Sequence, residues 1–138
     1  RVFLDIKFAH PQQLLDLIYE TEMEHDCFLW SGSDELMGLI HELDPKIPLK
    51  VNVSTVKEIA LAQKALDARI VEVQLKDMSR LLVDACRSRG IELMINPMPG
   101  DAEAYRRVIA WEPDKVNLDD AALFLSTLSE VRQREGAR

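Results

Sequence analysis

One alternation is repeated six times along this chain: a short β-rich run, then an amphipathic helical stretch. The runs fall at 2–7 (VFLDIK), 27–31 (CFLWS), 47–53 (IPLKVNV), 69–74 (RIVEVQ), 91–96 (IELMIN) and 115–118 (KVNL), so their starts are spaced by 20–25 residues. That spacing is the length of one βα unit. Consecutive βα units make a parallel sheet, because parallel neighbours need a crossover of a dozen or more residues. The clearest helix is 78–89, where Met78, Leu81, Leu82, Ala85 and Cys86 fall at i, i+3, i+4, i+7 and i+8. Boundary chemistry agrees with the division. Pro11 suits a first helical turn, Ser33 and Ser54 are N-cap candidates, Thr55 to Glu58 has capping-box spacing, and Gly90 ends its helix.

No linker, low-complexity tract or composition break separates the units, so one compact α/β domain over residues 1–138 is expected. A complete eight-unit barrel typically needs about 250 residues. Six units in 138 residues leave two architectures: an open doubly wound sheet, or the remainder of a closed barrel. Both place function at the carboxyl ends of the strands. Six strands also leave two unpaired edges, which predicts either self-association into a homo-oligomer or a chain cut from a larger protein.

The net charge of −7, with acidic and basic residues mixed along helix faces, argues against a nucleic-acid surface and suits a soluble protein. No run reaches the roughly 18 apolar residues of a membrane span. The chain opens at Arg1, directly on a strand and without an initiator Met, so its N-terminus reads as trimmed and does not speak to a removed leader. Cys27 and Cys86 lie far apart at apolar positions of a strand and a helix. They read as buried thiols, not as a disulfide or a metal pair, and fit a reducing, cytoplasmic setting.

The strand ends are where the chain turns polar. The first ends on Asp5 and Lys7, the second on Trp30 and Ser31, the third on Lys50 and Asn52. The fourth carries Glu72 and Gln74, the fifth Asn96, the sixth Asn117 and Asp119. Asp5 and Lys7 share a strand face, about 7 Å apart, too far for an ideal ion pair. They could flank a divalent cation bound by the carboxylate beside a phosphate held by the ammonium. Salt bridges to neighbouring strands, Asp5 to Lys50 or Lys7 to Glu72, are the competing explanation. Motifs of other chemistries are missing: no Gly-rich phosphate loop, no G-x-S-x-G, and no second His to make His41-Glu42 a zinc helix. Of the three histidines, His25 precedes a strand and belongs at the opposite end, His41 lies on a helix and should be exposed, and His10 alone follows a strand.

The order of these pieces is that of a known family. LDIK comes first, then CFLWSGS, IVEVQ, GIELMIN ahead of a Pro/Gly-rich loop, and KVNLDD before a terminal helix. The chain resembles the C-terminal two thirds of bacterial glycerophosphodiester phosphodiesterases, over essentially its whole length. The resemblance implies a TIM barrel whose third to eighth strands are present here and whose first two units are missing. It implies hydrolysis of a small-molecule glycerophosphodiester to an alcohol and glycerol 3-phosphate, assisted by Ca²⁺ or Mg²⁺. The family's I-E-I/L-K strand supplies a metal carboxylate and a phosphate-side lysine, roles that fall on Asp5 and Lys7. Trp30, Asn52, Glu72, Asn96 and Asp119 are the substrate-pocket candidates.

Three departures matter. Asp5 replaces Glu, shortening the arm by about one C–C bond. The family's H-R-G, H-D and E-x-D motifs, which hold its acid/base histidines and two further metal carboxylates, do not stand in this chain. Gly32 replaces a Phe of the family's S-F motif, which opens that wall of the pocket. These 138 residues alone are therefore expected to be inactive. Two rival readings are a non-catalytic binding or interaction domain that retained the barrel, and a Schiff-base lyase using Lys7 or Lys50.

Overall fold

The computed structural model describes residues 1–136. Strands and helices alternate: β1 (Val2–Ile6), α1 (Pro11–Glu20), β2 (Cys27–Ser31), α2 (Asp34–Leu43), β3 (Lys50–Asn52) and α3 (Val56–Leu66). Then come β4 (Ile70–Gln74), a 3₁₀ turn (Leu75–Asp77), α4 (Arg80–Arg89), β5 (Glu92–Asn96), α5 (Ala102–Trp111), β6 (Lys115–Val116) and α6 (Ala121–Gly136). Each strand pairs in parallel with the next, β1 with β2 and β3 through β6 in order. One parallel bridge, Leu29 to Leu49, joins the two groups.

The helix starts follow from local chemistry. Ser33, Thr55, Ser79 and Asp101 each accept a backbone N–H two or three positions into the following helix. Thr55 and Glu58 form a full capping box, so Thr55 is the cap and Ser54, one residue earlier, instead donates to Glu58. Gly90 ends α4 at φ 65°, a left-handed conformation that costs a Cβ-bearing residue strain. The helix expected over 78–89 begins later, at Arg80. The 3₁₀ turn and the Ser79 cap come first, and Leu81 is left 73% exposed. The third strand is shorter than 47–53 because Pro48 has no N–H to give the ladder; only its carbonyl bonds, to Leu29 N.

Residue alternation sorts the strands into two faces. Leu29 and Leu49 pack outward on Leu15, Ile18, Met37 and Ile40 of α1 and α2, with Leu4 and Ile6 of β1 beside them. Val71, Val73, Leu93 and Ile95 meet Ile59, Leu82, Val83, Cys86 and Val108 of α3 to α5. The inner face is built from Phe3, Phe28, Ile70 and Met94, the two phenyl rings stacking at 5.1 Å between centroids. Both cysteines are buried and free.

The wall is curved. In a flat sheet β1 and β5 would lie about 19 Å apart, four strand spacings. Arg1 nevertheless donates to Glu92 of β5 at 2.5 Å, and Lys115 pairs with the same carboxylate. Phe28 of β2 likewise packs on Met94 of β5. Among the described residues β1 and β6 each have one strand neighbour. A cleft of about 550 Å³ opens there, lined by Arg1, Phe3, Phe28, Met94, Lys115 and Asn117 among others. No helix of the described residues is long and apolar enough to cross a membrane.

Candidate active site

The inner face changes character along its length. Phe3, Phe28, Ile70 and Met94 are followed two residues later by Asp5, Trp30, Glu72 and Asn96, so the apolar floor gives way to a polar layer at the carboxyl ends. Lys50 and Asn52 of β3 and Asn117 just beyond β6 join that layer.

Glu72 is its centre. It is 6% exposed and accepts from Lys50 Nζ at 3.0 Å, Asn117 Nδ2 at 3.2 Å and Asn96 Nδ2 at 3.2 Å. Lys50, 2% exposed, also donates to Asn52 Oδ1 at 2.8 Å. Its ammonium lies 4.3 Å from the Trp30 ring centroid and 5.2 Å from that of Phe3. One buried cation therefore touches β1, β2, β3 and β4. Burial pushes the Lys50 pKa below its ordinary value; the Glu72 carboxylate opposes that shift, as does Asp5, while Lys7 adds to it.

Asp5 and Lys7 form a second pair at the rim. They are not 7 Å apart: Lys7 Nζ donates to Asp5 Oδ2 at 2.7 Å. The strand ends at Ile6, so Lys7 is free of the pleat that would have kept the two side chains parallel. Asp5 is level with Trp30 in the β1–β2 register, and Lys7 Nζ sits 5.5 Å from the Trp30 centroid. Neither expected cross-strand bridge forms; Glu72 takes Lys50 and Asp5 takes Lys7.

The pocket candidates divide. Trp30, Asn52, Glu72 and Asn96 come together around Lys50. Asp119 does not: it is exposed beyond β6, where its neighbour Asp120 caps α6 by accepting from Leu123 N at 2.9 Å. Lys50 and Asn117 were legible as strand-end residues but not as part of the pocket. Their parity with Phe3, Phe28 and Ile70 is the signal that identifies them.

Two recesses open on this layer. One, of about 460 Å³, is lined by Asn52, Ser54, Glu58, Glu72, Gln74, Lys76, Asp77 and Asn96. The other, about 190 Å³, lies between Trp30, Gly32, Lys50 and Asn52. A Cβ on Gly32 would meet no atom within 4 Å, so that wall is open. A recess of about 560 Å³ between α5 and α6 holds none of the strand-end polar residues.

The histidines stay apart. His10 is the N-cap of α1, exposed, with no side-chain cap bond. His25 is exposed on the amino side of β2 near Glu24. His41 is half-buried, not exposed, and its Nδ1 has no partner. Among the described residues no group of three or more His, Cys, Asp or Glu is placed to hold a metal ion. Asp5 offers one carboxylate, already paired with Lys7, against the six to eight oxygens Ca²⁺ takes or the octahedron Mg²⁺ requires. These residues do not by themselves fit the cation.

The architecture is α/β, with parallel strands and alternating helices. Its likeness among solved structures is to glycerophosphodiester phosphodiesterases. The enzyme of that name from Agrobacterium tumefaciens str. C58 superposes with a TM-score of 0.84 at 25% identity, over 93% of this chain and 55% of its own. A glycerophosphoryl diester phosphodiesterase from Parabacteroides distasonis ATCC 8503 gives 0.74 at 21% identity, over 94% of this chain and 50% of its own. The chain thus spans about half the length of the structures it matches. No family model matches it, and no curated protein does.

Proposed function

We propose that these residues form six consecutive units of a TIM-type barrel, its third to eighth strands, in a hydrolase that cleaves glycerophosphodiesters to an alcohol and glycerol 3-phosphate. The observation that carries this reading is the match of nearly the whole chain to phosphodiesterases of that class, with Asp5 on β1 and Lys7 one residue past its end. In this reading Lys7 sets a positive charge against the phosphoryl oxygens, where negative charge develops as the bond to the leaving alcohol breaks. Trp30 stands beside that charge, its ring centroid 5.5 Å from Lys7 Nζ, and lines the smaller recess with Lys50 and Asn52. A Ca²⁺ or Mg²⁺ ion, if the reaction uses one, would take Asp5 as a single ligand and would need its other ligands from beyond these residues.

Hydrolysis also needs a group to protonate the leaving alkoxide, and losing one such group typically costs 10²–10⁴-fold. His10 is the one histidine at the carboxyl ends, and its exposed helix-cap position does not mark it as an acid. The 138 residues alone are therefore expected to release no glycerol 3-phosphate from glycerophosphocholine or glycerophosphoinositol with Ca²⁺ or Mg²⁺, while the full-length protein does. In the latter, Lys7→Ala should lower kcat by about 10²-fold, and Asp5→Ala should weaken the dependence on cation. Unchanged turnover in Lys7→Ala would sink the assignment of Lys7. Cation-dependent release by the short chain, abolished by His10→Ala, would make His10 the acid.

A further inference from the structure

Trp30 stands apart from the packing of the rest of the wall. Among the described residues it joins none of the apolar clusters and stacks on no other ring. The side-chain hydrogen bonds around it run between other residues: Lys7 to Asp5, Ser33 N to Ser31 Oγ, and Lys50 to Asn52 and Glu72. One flank of the ring is open. It borders the recess of about 190 Å³, where a Cβ on Gly32 would meet nothing within 4 Å. What faces the ring instead is a pair of ammonium groups, Lys50 Nζ at 4.3 Å from its centroid and Lys7 Nζ at 5.5 Å.

The two cations are held very differently. Lys50 is 2% exposed and bonded to Glu72 at 3.0 Å and Asn52 at 2.8 Å, and Glu72 is fixed in turn by Asn96 and Asn117. The Lys7 side chain is 77% exposed, lies past the end of β1 and makes one hydrogen bond, to Asp5. Attraction between a cation and a ring face is strongest where the cation is desolvated, which favours Lys50 as the group that sets the ring. Its charge also reaches the rim directly, since Asp5 raises and Lys7 lowers the Lys50 pKa. We infer that Lys50 is a positioning residue: its buried ammonium fixes the Trp30 ring, and the ring fixes the Lys7 ammonium beside Asp5. That placement stands on the geometry. Its effect on turnover rests on the hydrolase reading above, in which Lys7 faces the phosphoryl oxygens; a displacement of about 1 Å there can cost about 10²-fold.

The experiment has two arms on the full-length protein. Its central variant is the apolar pair Lys50→Met with Glu72→Leu, which removes the buried charges together; a cooperative melt confirms that it is folded. Should it not fold, Lys50→Gln with Glu72→Gln takes its place, removing the ammonium while keeping amides for the three asparagines to bond. In the first arm NMR follows the Trp30 indole N–H and the Lys7 methylene protons, which an adjacent ring face shifts upfield. The charge-free pair should move the indole peak and erase the Lys7 shift, and Trp30→Leu should erase that shift as well. An unmoved indole peak or an intact Lys7 shift in the pair overturns the inference. In the second arm kcat on glycerophosphocholine or glycerophosphoinositol is measured for the pair and for Trp30→Leu, each with Lys7 and with Lys7→Ala. With Lys7 present each should lower kcat by about tenfold. With Lys7→Ala neither should lower it further, because residues that act through one another are not additive. Equal losses in both backgrounds would make Lys50 a structural residue only and overturn the inference. A parent protein that hydrolyses neither ester would overturn the hydrolase reading, and the first arm would still decide the placement.

Discussion

A buried lysine is costly unless its ammonium is fully partnered, and the two lysines at the carboxyl ends stand on opposite sides of that rule. Lys50 is enclosed, with two hydrogen bonds and two ring faces around it. Glu72→Ala would leave that charge uncompensated and should cost about 3–5 kcal/mol in urea unfolding, whereas the apolar pair Lys50→Met with Glu72→Leu should recover most of the loss. The Asp5–Lys7 pair is 39% and 77% exposed at its two side chains. An exposed pair contributes at most about 1 kcal/mol, so Asp5→Ala should barely move stability. A pair that can be lost so cheaply is free to serve a ligand. The pH dependence of stability separates two further groups. Lys50 has a folded pKa below its ordinary 10.5. Between that lowered value and 10.5 the unfolded chain holds more protons than the folded one, so the Lys50 contribution to stability rises with pH. Cys86 acts oppositely: burial pushes its thiol from 9.0 up to about 11, so stability is present below 9.0 and lost as pH climbs through about 11. Unfolding of Cys86→Ala across pH 9–11 should show a shallower alkaline decline than the parent, and Lys50→Met a steeper one.

At the level of elements, the helix starts are local and separable. Thr55 caps α3, and Thr55→Ala should cost about 1 kcal/mol in the same unfolding assay. Glu58 closes that cap by accepting from Ser54 and Thr55, and those bonds hold its carboxyl below the usual range. Its folded pKa is depressed, so the support it gives is present above 4.5 and fades as pH falls through the lower folded value. Caps of this kind are legible because donor and acceptor lie within four residues of one another. Errors arose where a distant contact intervened. Periodicity alone extended α4 back to Met78, but Met78 reaches the α3–α5 core from the end of the 3₁₀ turn.

For the whole molecule, the curved wall is the consequential feature. β1 and β6 each leave one edge unpaired among the described residues, and such edges are templates for pairing with another chain. In isolation the 138 residues should self-associate with rising concentration in sedimentation velocity. A clean monomer at all concentrations would mean that the edges are shielded. The same curvature turns Asp5, Lys50, Glu72 and Asn96, drawn from four strands, and Asn117, just past β6, toward one space.

Sequence by itself determined the alternation of strand and helix, the parity that separates inner from outer residues, and the polar turn at each strand end. These depend on hydrophobic period and on capping bonds that span a few positions, which any single sequence displays. Tertiary structure decided the pairings. Lys50 to Glu72 spans 22 residues and Asn117 to Glu72 spans 45, and nothing in local pattern chooses Glu72 over Asp5 as the partner of Lys50. That choice was made by the register of β3 on β4, which sets Asn52 opposite Glu72 and brings Lys50 within reach, and by the fraying of β1 at Ile6, which let Lys7 fold back on Asp5.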